Sequence, residues 1–432
     1  MSSRLPQQAN TAGPARSRNA ILMVALVVLV DITGFGLILP LLPFWAERLG
    51  ANPFEVGLIL TVYALAQFLF TPLLGALSDR YGRRPVILGS LLIEALGFVL
   101  TAISGTLPLL LVARFVGGLG ASNIGSAQAV VADVTAPKDR ARGMGMIGAA
   151  IGLGFVVGPA LGGVLAGIGS TVPFWAAFGV AIVNALLVLA LLPETRVRRE
   201  SASDRHQNPF ALFSGWQRVV RTPAIARLII VNLFFTLAFT AMEAIFALFS
   251  QRIFGWNATQ NGYIFTYVGV IIVVMQGGMV GQLVKRFGEH TVQIGGLVVL
   301  TIGLALLPFA VSLGVLLLAL GILSIGEGAV TPTTNALLSL ATPADAQGET
   351  LGLAQGMAGL GRVIGPLVAG WLFGIGIGLP FIFGALLTLA ALLIALPRVA
   401  VTPWASPKEE RETAAASANP KAEQDTVATS AK

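Results

Sequence analysis

Gly154–Gly163 reads G-F-V-V-G-P-A-L-G-G in the middle of a long apolar run. Gly154, Gly158 and Gly162 recur every four residues, so a helix carries them as a bare stripe along one face. In lipid, apolar helices gain little by hiding apolar surface from one another, and close packing of small residues supplies much of the attraction between them. Pro159 removes a backbone donor inside the same run, which is tolerated where a neighbouring helix or cavity meets the freed carbonyl. The stretch therefore predicts a transmembrane helix pressed against a partner. It has an echo about 207 residues on: Gly361–Gly370 reads G-R-V-I-G-P-L-V-A-G, with Gly361, Gly365, Pro366 and Gly370 in the same slots and Ala369 replacing one glycine. A spacing of nearly half the chain predicts a duplicated architecture.

Composition agrees with a membrane origin. The chain is 55% hydrophobic and 11% charged, with a mean hydropathy of +0.84; soluble domains carry about 25% charged residues. There are no cysteines, which excludes disulfides, thiol catalysis and thiolate metal sites. His206 and His290 both fall in charged connecting segments and argue against a histidine metal site. Apolar segments of spanning length are expected at about 19–45, 54–78, 84–105, 107–132, 142–168 and 172–193, then 224–250, 260–284, 289–311, 313–341, 349–372 and 377–397. The expected organisation is a disordered polar N-tail (1–18), a six-helix bundle (19–193), a polar connection (194–223), a second six-helix bundle (224–398) and a low-complexity tail (399–432). Phe210–Trp216 in the connection is either a short surface-lying amphipathic stretch or irregular. The first apolar segment is too long for a signal peptide and lacks a cleavage site.

The net charge of +7 matters through its placement. Basic residues gather in the N-tail, at Arg80, Arg83 and Arg84, at Lys138, Arg140 and Arg142, across 194–227, at Lys285 and Arg286, and in the C-tail, while the intervening loops hold only Arg48 and Arg252. Basic loops stay on the cytoplasmic side, so both termini are expected inside. A second repeat lies in these loops. Gly75–Arg84 reads G-A-L-S-D-R-Y-G-R-R, and Gly281–His290, about 206 residues on, reads G-Q-L-V-K-R-F-G-E-H. Two motifs repeating at nearly one offset support duplication.

With these residues in hand, the chain resembles the major facilitator superfamily over about residues 20–397. The G-x-x-x-G-P-x-x-G-G stretch (Gly154, Gly158, Pro159, Gly162, Gly163) matches the fifth-span signature of its drug/proton antiporters. Gly75, Asp79, Arg80, Gly82, Arg83 and Arg84 match the family's loop signature between spans two and three, with Asp133 as the acidic residue that joins it. Asp31–Pro43, D-I-T-G-F-G-L-I-L-P-L-L-P, is close to the first span of tetracycline-type efflux proteins, and Arg114–Gly120, R-F-V-G-G-L-G, resembles the fourth-span motif whose arginine is tied to proton coupling. The resemblance implies an all-α membrane fold, with two six-helix bundles related by a pseudo-twofold axis and substrate between them at mid-depth. It also implies a role in drug efflux and antibiotic resistance, a coupling ion (H+) but no cofactor, and a cytoplasmic latch formed by the loop residues and Asp133 against the start of span eleven.

Each ionisable group at the bilayer centre costs about 2.5–3.5 kcal/mol on insertion scales, so Asp31, Glu94, Arg114, Glu243, Glu327 and Arg362 each want a reason. Asp31 falls near the middle of the first span, followed by Gly34, Gly36, Pro40 and Pro43, which are expected to loosen the helix. A carboxyl in an apolar cavity can hold or release a proton near neutral pH, which suits a proton carrier. Arg114 is its expected counter-charge, and Glu94 is either a second proton site or a recognition group. Glu243, Glu327 and Arg362 either pair with one another or line the cavity. Tyr63, Gln67, Asn123, Gln128, Asn232, Phe235, Gln276, Asn335 and Gln355 complete the expected cavity wall.

The reading these residues favour is a monomeric, proton-coupled exporter of amphipathic small molecules in the plasma membrane, without nucleic-acid partners. A proton-coupled carrier of a sugar, amino acid or organic acid is the alternative within the same fold. A non-transporting sensor has little to signal with, and an enzyme lacks a Ser/His or metal-ligand constellation. If the loop residues form the implied latch, Asp79→Asn weakens it and shifts the resting population toward inward-open forms. Cysteine labelling of both faces, on a parent with no cysteine to remove, reads that shift; unchanged labelling counts against the latch.

Overall fold

In the computed structural model the described residues are 14–135, 140–192, 194, 222–342 and 347–397, and they are helical without strands. The N-tail to residue 13, Lys138, the connection 195–221 with His206 and Phe210–Trp216, and residues 398–432 lie outside them. The first span is Pro14–Ile38 followed by a short helix, Leu42–Arg48; the second is Pro53–Tyr81, the third Arg83–Ala102, the fourth Leu107–Gly120 with Ile124–Val134, the fifth Arg140–Ile168 and the sixth Val172–Leu191. The seventh is Pro223–Phe254, the eighth Ala258–Val274 continued by Val280–Phe287, the ninth Glu289–Leu306, the tenth Leu313–Leu340, the eleventh Gln347–Ile375 and the twelfth Leu379–Ala395. Eleven of these are at least 18 residues long and apolar enough to cross a bilayer. The twelfth has 17 residues and reaches about 25 Å at 1.5 Å per residue, still within the span range.

Several sequence expectations need correcting. Pro14–Arg18, expected in the disordered tail, already belong to the first helix. That helix runs unbroken through Gly34 and Gly36, and the interruption comes only at Leu39–Leu41, around Pro40. The glycines do not loosen it; Gly36 is where the fifth span approaches, since a Cβ there would stand 3.0 Å from Pro159 and 3.1 Å from the Gly158 Cα. The fourth span is broken at Ala121–Asn123 instead of running straight. The broken backbone is satisfied locally: the Gln67 amide donates to the Ala121 carbonyl at 3.0 Å and the Ser122 hydroxyl to the Gly118 carbonyl at 3.0 Å. The eighth span passes through one π turn at Met275–Met279, near the position that Pro72 occupies in the second span.

Packing repeats when six is added to every span number. The first span packs on the fifth and sixth, as the seventh packs on the eleventh and twelfth; the third packs on the fourth and sixth, as the ninth packs on the tenth and twelfth. Between the halves, the second span packs on the eleventh and the eighth on the fifth. The ends of the helices repeat as well. Gly50 and Gly255 have φ of +87° and +67°, and each is followed two residues later by an asparagine that caps the next span. Asn52 accepts from the Glu55 N–H at 3.0 Å while the Glu55 carboxylate accepts from the Asn52 N–H at 2.8 Å. Asn257 accepts from the Thr259 and Gln260 N–H groups at 2.9 and 3.3 Å, and the Gln260 carbonyl accepts from the Asn257 N–H at 2.7 Å. At the opposite, arginine-rich end, Gly82 and Gly288 make the turns with φ of +112° and +79°.

Contacts between the halves cluster at the asparagine-capped end. A Cβ on Gly57 would strike the Pro366 carbonyl, and one on Gly262 would stand 2.6 Å from the Pro159 carbonyl. Thus the proline of each copy of the duplicated stretch turns a carbonyl toward a glycine of the other half. At the arginine-rich end, methyls added to Gly75, Gly145, Gly148, Gly277, Gly278, Gly281, Gly348 or Gly356 would meet nothing within 4 Å. Among the described residues no hydrogen bond or ion pair joins the halves there. The two bundles diverge toward that end.

Asn52→Ala and Asn257→Ala each remove one reciprocal cap, and each should lower stability by about 1 kcal/mol. Thermal unfolding in detergent, compared with exposed Asn→Ala controls elsewhere, measures the loss; equal midpoints for caps and controls would show that the membrane-facing packing alone sets these helix starts.

Candidate functional site

The N-terminal half gathers ionisable groups through glycine. A Cβ on Gly97 would stand 2.6 Å from the Gly117 Cα, one on Gly120 would stand 2.6 Å from the Glu94 Cα, and one on Gly118 would strike the Tyr63 carbonyl. Three glycines of the Arg114–Gly120 run therefore let the fourth span lie against the backbones of the second and third. Arg114, on the same helix, is 2% exposed, with its guanidinium carbon 4.1 Å from the centroid of the Tyr63 ring. Such a cation–π contact, away from water, is worth about 2 kcal/mol or more. Glu94 is also 2% exposed and lies within electrostatic range of Arg114.

Asp31 enters this cluster from the first span, held by the fifth. A Cβ on Gly154 would stand 2.8 Å from the Ile32 side chain, one on Gly158 2.7 Å from the Gly36 Cα, and one on Gly162 would strike the Leu37 carbonyl. The bare stripe is thus the seat of the first span. Gly163, on the other flank, faces Gly262 of the eighth span, with a Cβ-to-Cα approach of 3.0 Å. One segment therefore touches both the Asp31 helix and the opposite half. The Asp31 side chain lies within interaction range of those of Glu94 and Asn123, the latter in the break of the fourth span. Phe35, one turn beyond Asp31, stacks on Tyr63 at 5.3 Å and meets Phe155 edge-on at 6.1 Å. Asp31 Oδ1, Glu94 Oε2 and Arg114 Nε are buried without a hydrogen-bond partner.

Duplication does not extend to this chemistry. Gly326, about 206 residues after Gly120, approaches Leu300 as Gly120 approaches Glu94. Gly361 rests on Leu233 and Thr236 as Gly154 rests on Leu29 and Ile32, which makes Phe235 the counterpart of Asp31. Leu320 stands where Arg114 does by the same offset. Phe235 is buried and stacks on Phe239 at 6.3 Å.

The C-terminal half carries its charges elsewhere. Glu243 on the seventh span lies within electrostatic range of Arg362 on the eleventh and of Glu327 on the tenth. The only ion pairs among the described residues are those of Arg83, so Glu243, Glu327 and Arg362 do not form the mutual pair that was one expectation. Glu327 accepts a hydrogen bond from the Thr331 hydroxyl at 3.3 Å through Oε1, while its Oε2 is buried and unpartnered. Arg362 is exposed and Glu243 half-buried. Arg362 sits next to Val363, whose carbonyl accepts from Thr61 of the second span at 2.8 Å.

At the arginine-rich end, Arg83 pairs with Asp79 at 2.5 Å and with Asp133 at 3.1 Å, and donates to the Ser78 hydroxyl at 3.2 Å. Glu194, which sequence reasoning left unremarked at the start of the long connection, accepts from the Arg83 and Arg84 N–H groups at 2.9 and 3.2 Å. A carboxylate is favoured at a helix N-terminus by the exposed donors and the dipole. Arg84 donates to the Leu189 carbonyl, and about 206 residues on His290 meets the Ala395 carbonyl at 2.9 Å. Arg80 stacks its guanidinium over Tyr81 at 5.4 Å. Among the described residues these ties join the second, third, fourth and sixth spans, and none reaches span eleven.

Of the other expected wall residues, Gln67 is committed to the fourth-span break and Asn232 donates to the Ala354 carbonyl at 3.0 Å. Tyr63 and Asn123 belong to the Asp31 cluster, and Gln128, Gln276, Asn335 and Gln355 are exposed.

A duplicated bundle of membrane-crossing helices, with charges near mid-helix in each half, is a transporter rather than an enzyme. The chain belongs to the Major Facilitator Superfamily, whose model matches residues 24–313 and 277–428, and it is a multi-pass protein of the plasma membrane. Over 397 residues it is 33% identical to tetracycline resistance protein, class C, of Escherichia coli, covering 90% of this chain and 98% of that one. It is 29% identical over 369 residues to multidrug resistance protein 2 of Bacillus subtilis, covering 84% and 91% of the two. Among solved structures, the human organic anion transporter MFSD10 (TETRAN) superposes with a TM-score of 0.69 at 25% identity, over 89% of this chain and 100% of that one. The nucleoside transporter NupG shares the fold, with a TM-score of 0.70 at 13% identity over 89% and 99%.

Gly158→Leu would drive a side chain into the Gly36 and Thr33 backbone, where even a Cβ stands at 2.7 and 2.8 Å. The expected outcome is loss of transport by more than tenfold with membrane insertion retained, measured at matched expression. Normal transport would mean that the first and fifth spans can part here without consequence.

Proposed function

We propose that the chain exports amphipathic small molecules in exchange for protons by alternating access, with Asp31 carrying the proton and H+ as the only coupling ion. The observation that carries this reading is the gathering of Asp31, Glu94 and Asn123 beside the Arg114–Tyr63 pair, in a half whose counterpart positions are apolar. A proton carrier has to change charge during the cycle, and the groups around it have to change with conformation. Asp31 rides on the first span, Glu94 on the third and Arg114 on the fourth, so a shift of the first span against the other two alters what the carboxyl faces. The relatives named for tetracycline and multidrug resistance support export as the direction and drugs as the cargo.

The arginine-rich loops belong on the cytoplasmic side by the positive-inside rule, with both termini there. In that orientation the packed ends are external and the diverging ends open inward, the state that takes up substrate from the cell. Asp79, Arg83, Asp133 and Glu194 hold the second, third and fourth spans together as one body during the motion. A latch to span eleven would form when the inner ends close.

Each proton entering down about 100 mV supplies roughly 2.3 kcal/mol beyond the pH gradient. Asp31→Asn removes the titrating group and should abolish gradient-driven accumulation while leaving downhill exchange. Asp31→Glu should retain part of the activity with a displaced pH optimum. Vesicle transport under an imposed pH gradient, with wild type and both variants at matched expression, measures this; accumulation by the Asn variant at the wild-type level would remove Asp31 from the role and make Glu94 the leading candidate.

A further inference from the structure

Glu243, Glu327 and Arg362 come from three different spans, near the middle of each. Glu243 is within electrostatic range of both Arg362 and Glu327, yet none of the three forms an ion pair. Opposite charges on packed helices in a low-dielectric setting normally close into contact unless something polar belongs between them. Two further observations mark the space as one meant to be occupied. Glu327 keeps one carboxylate oxygen bonded to Thr331 and the other buried with no partner. Arg362 is exposed at mid-helix, where a guanidinium turned to lipid would be costly, so it faces the cavity between the halves. Its neighbour Val363 is bonded to Thr61 of the other half, which fixes Arg362 at the seam where the two bundles meet.

We propose that this trio is the charge-reading part of the substrate site, and that it selects zwitterionic amphiphiles over permanent cations. The two carboxylates receive the cationic end of the substrate and Arg362 its anionic end. A permanent cation satisfies the carboxylates but leaves Arg362 facing like charge; a neutral molecule satisfies neither. Substrate charge would then be read in the C-terminal half, on positions whose N-terminal counterparts, about 206 residues earlier, are apolar: Glu327 answers to Ala121 and Arg362 to Phe155. The proposal rests on the reading of the central space as the substrate site, but it does not require Asp31 to be the proton carrier.

The test is equilibrium binding to the purified full-length protein in detergent, with tetracycline as the zwitterionic probe and ethidium as the permanent cation. Wild type should bind tetracycline at least about tenfold more tightly than ethidium, a difference of about 1.4 kcal/mol. Arg362→Gln should weaken tetracycline by about tenfold and leave ethidium unchanged or tighter. Arg362→Lys should restore much of the preference. Glu327→Gln should weaken both probes, since both present a cation to it. Thermal unfolding of each variant separates loss of binding from loss of fold, and the lysine variant serves if the glutamine variant does not fold. A wild type that binds ethidium as tightly as tetracycline, or binds neither, overturns the proposal, as does an Arg362→Gln variant that weakens both probes equally. Failure of the proton reading shows separately, as normal gradient-driven transport by Asp31→Asn beside intact probe selectivity.

Discussion

Lipid gives two apolar helices no hydrophobic reason to meet, so close backbone approach has to supply the attraction. In this protein that approach is made at glycines, and each one positions something. Gly154, Gly158 and Gly162 seat the first span and hence Asp31; Gly97, Gly117 and Gly120 draw Glu94 and Arg114 together; Gly57 and Gly262 meet the proline carbonyls of the opposite half. Removing the side chain at these points does more than save space. It exposes carbonyls and Cα atoms to a neighbouring helix, so the depth and rotation of each span are set by backbone geometry, not by flexible side chains.

Charge divides the molecule differently from packing. Helix order, caps, turns and glycine contacts repeat across the halves, while the ionisable groups near mid-helix do not. Asp31, Glu94 and Arg114 correspond to Phe235, Leu300 and Leu320. A duplicated scaffold thus supports two unlike interiors, one that gathers an acid pair beside a stacked arginine, the other with its charges spread over three spans.

Much of this was legible in the chain. The duplicated G-x-x-x-G-P stretch and the duplicated loop gave the symmetry, because glycine at a close approach and glycine at positive φ have few substitutes. Asp31, Glu94 and Arg114 stood out because charge in an apolar run is expensive. The break at Ala121–Asn123 was hidden, since its residues are no stronger as helix breakers than their neighbours and Gln67, which stabilises it, lies on another span. The π turn at Met275–Met279 escaped for a similar reason. Glu194 was missed because its role depends on where the third span begins in space, not on its own surroundings in sequence. The reciprocal caps at Asn52 and Asn257 carried a readable signal, an asparagine followed three residues later by glutamate or glutamine.

The seam between the halves is made of glycines against carbonyls and apolar side chains, with the Thr61–Val363 hydrogen bond as its directional tie among the described residues. Dispersion forces fade within an ångström or so of optimal contact. A surface of this kind either fits or lets go, with little gain at intermediate separations, and letting go strands few polar groups. The two faces can therefore separate dry, without waiting for water to replace broken bonds, and the molecule has physical grounds to dwell at its end states and cross quickly between them.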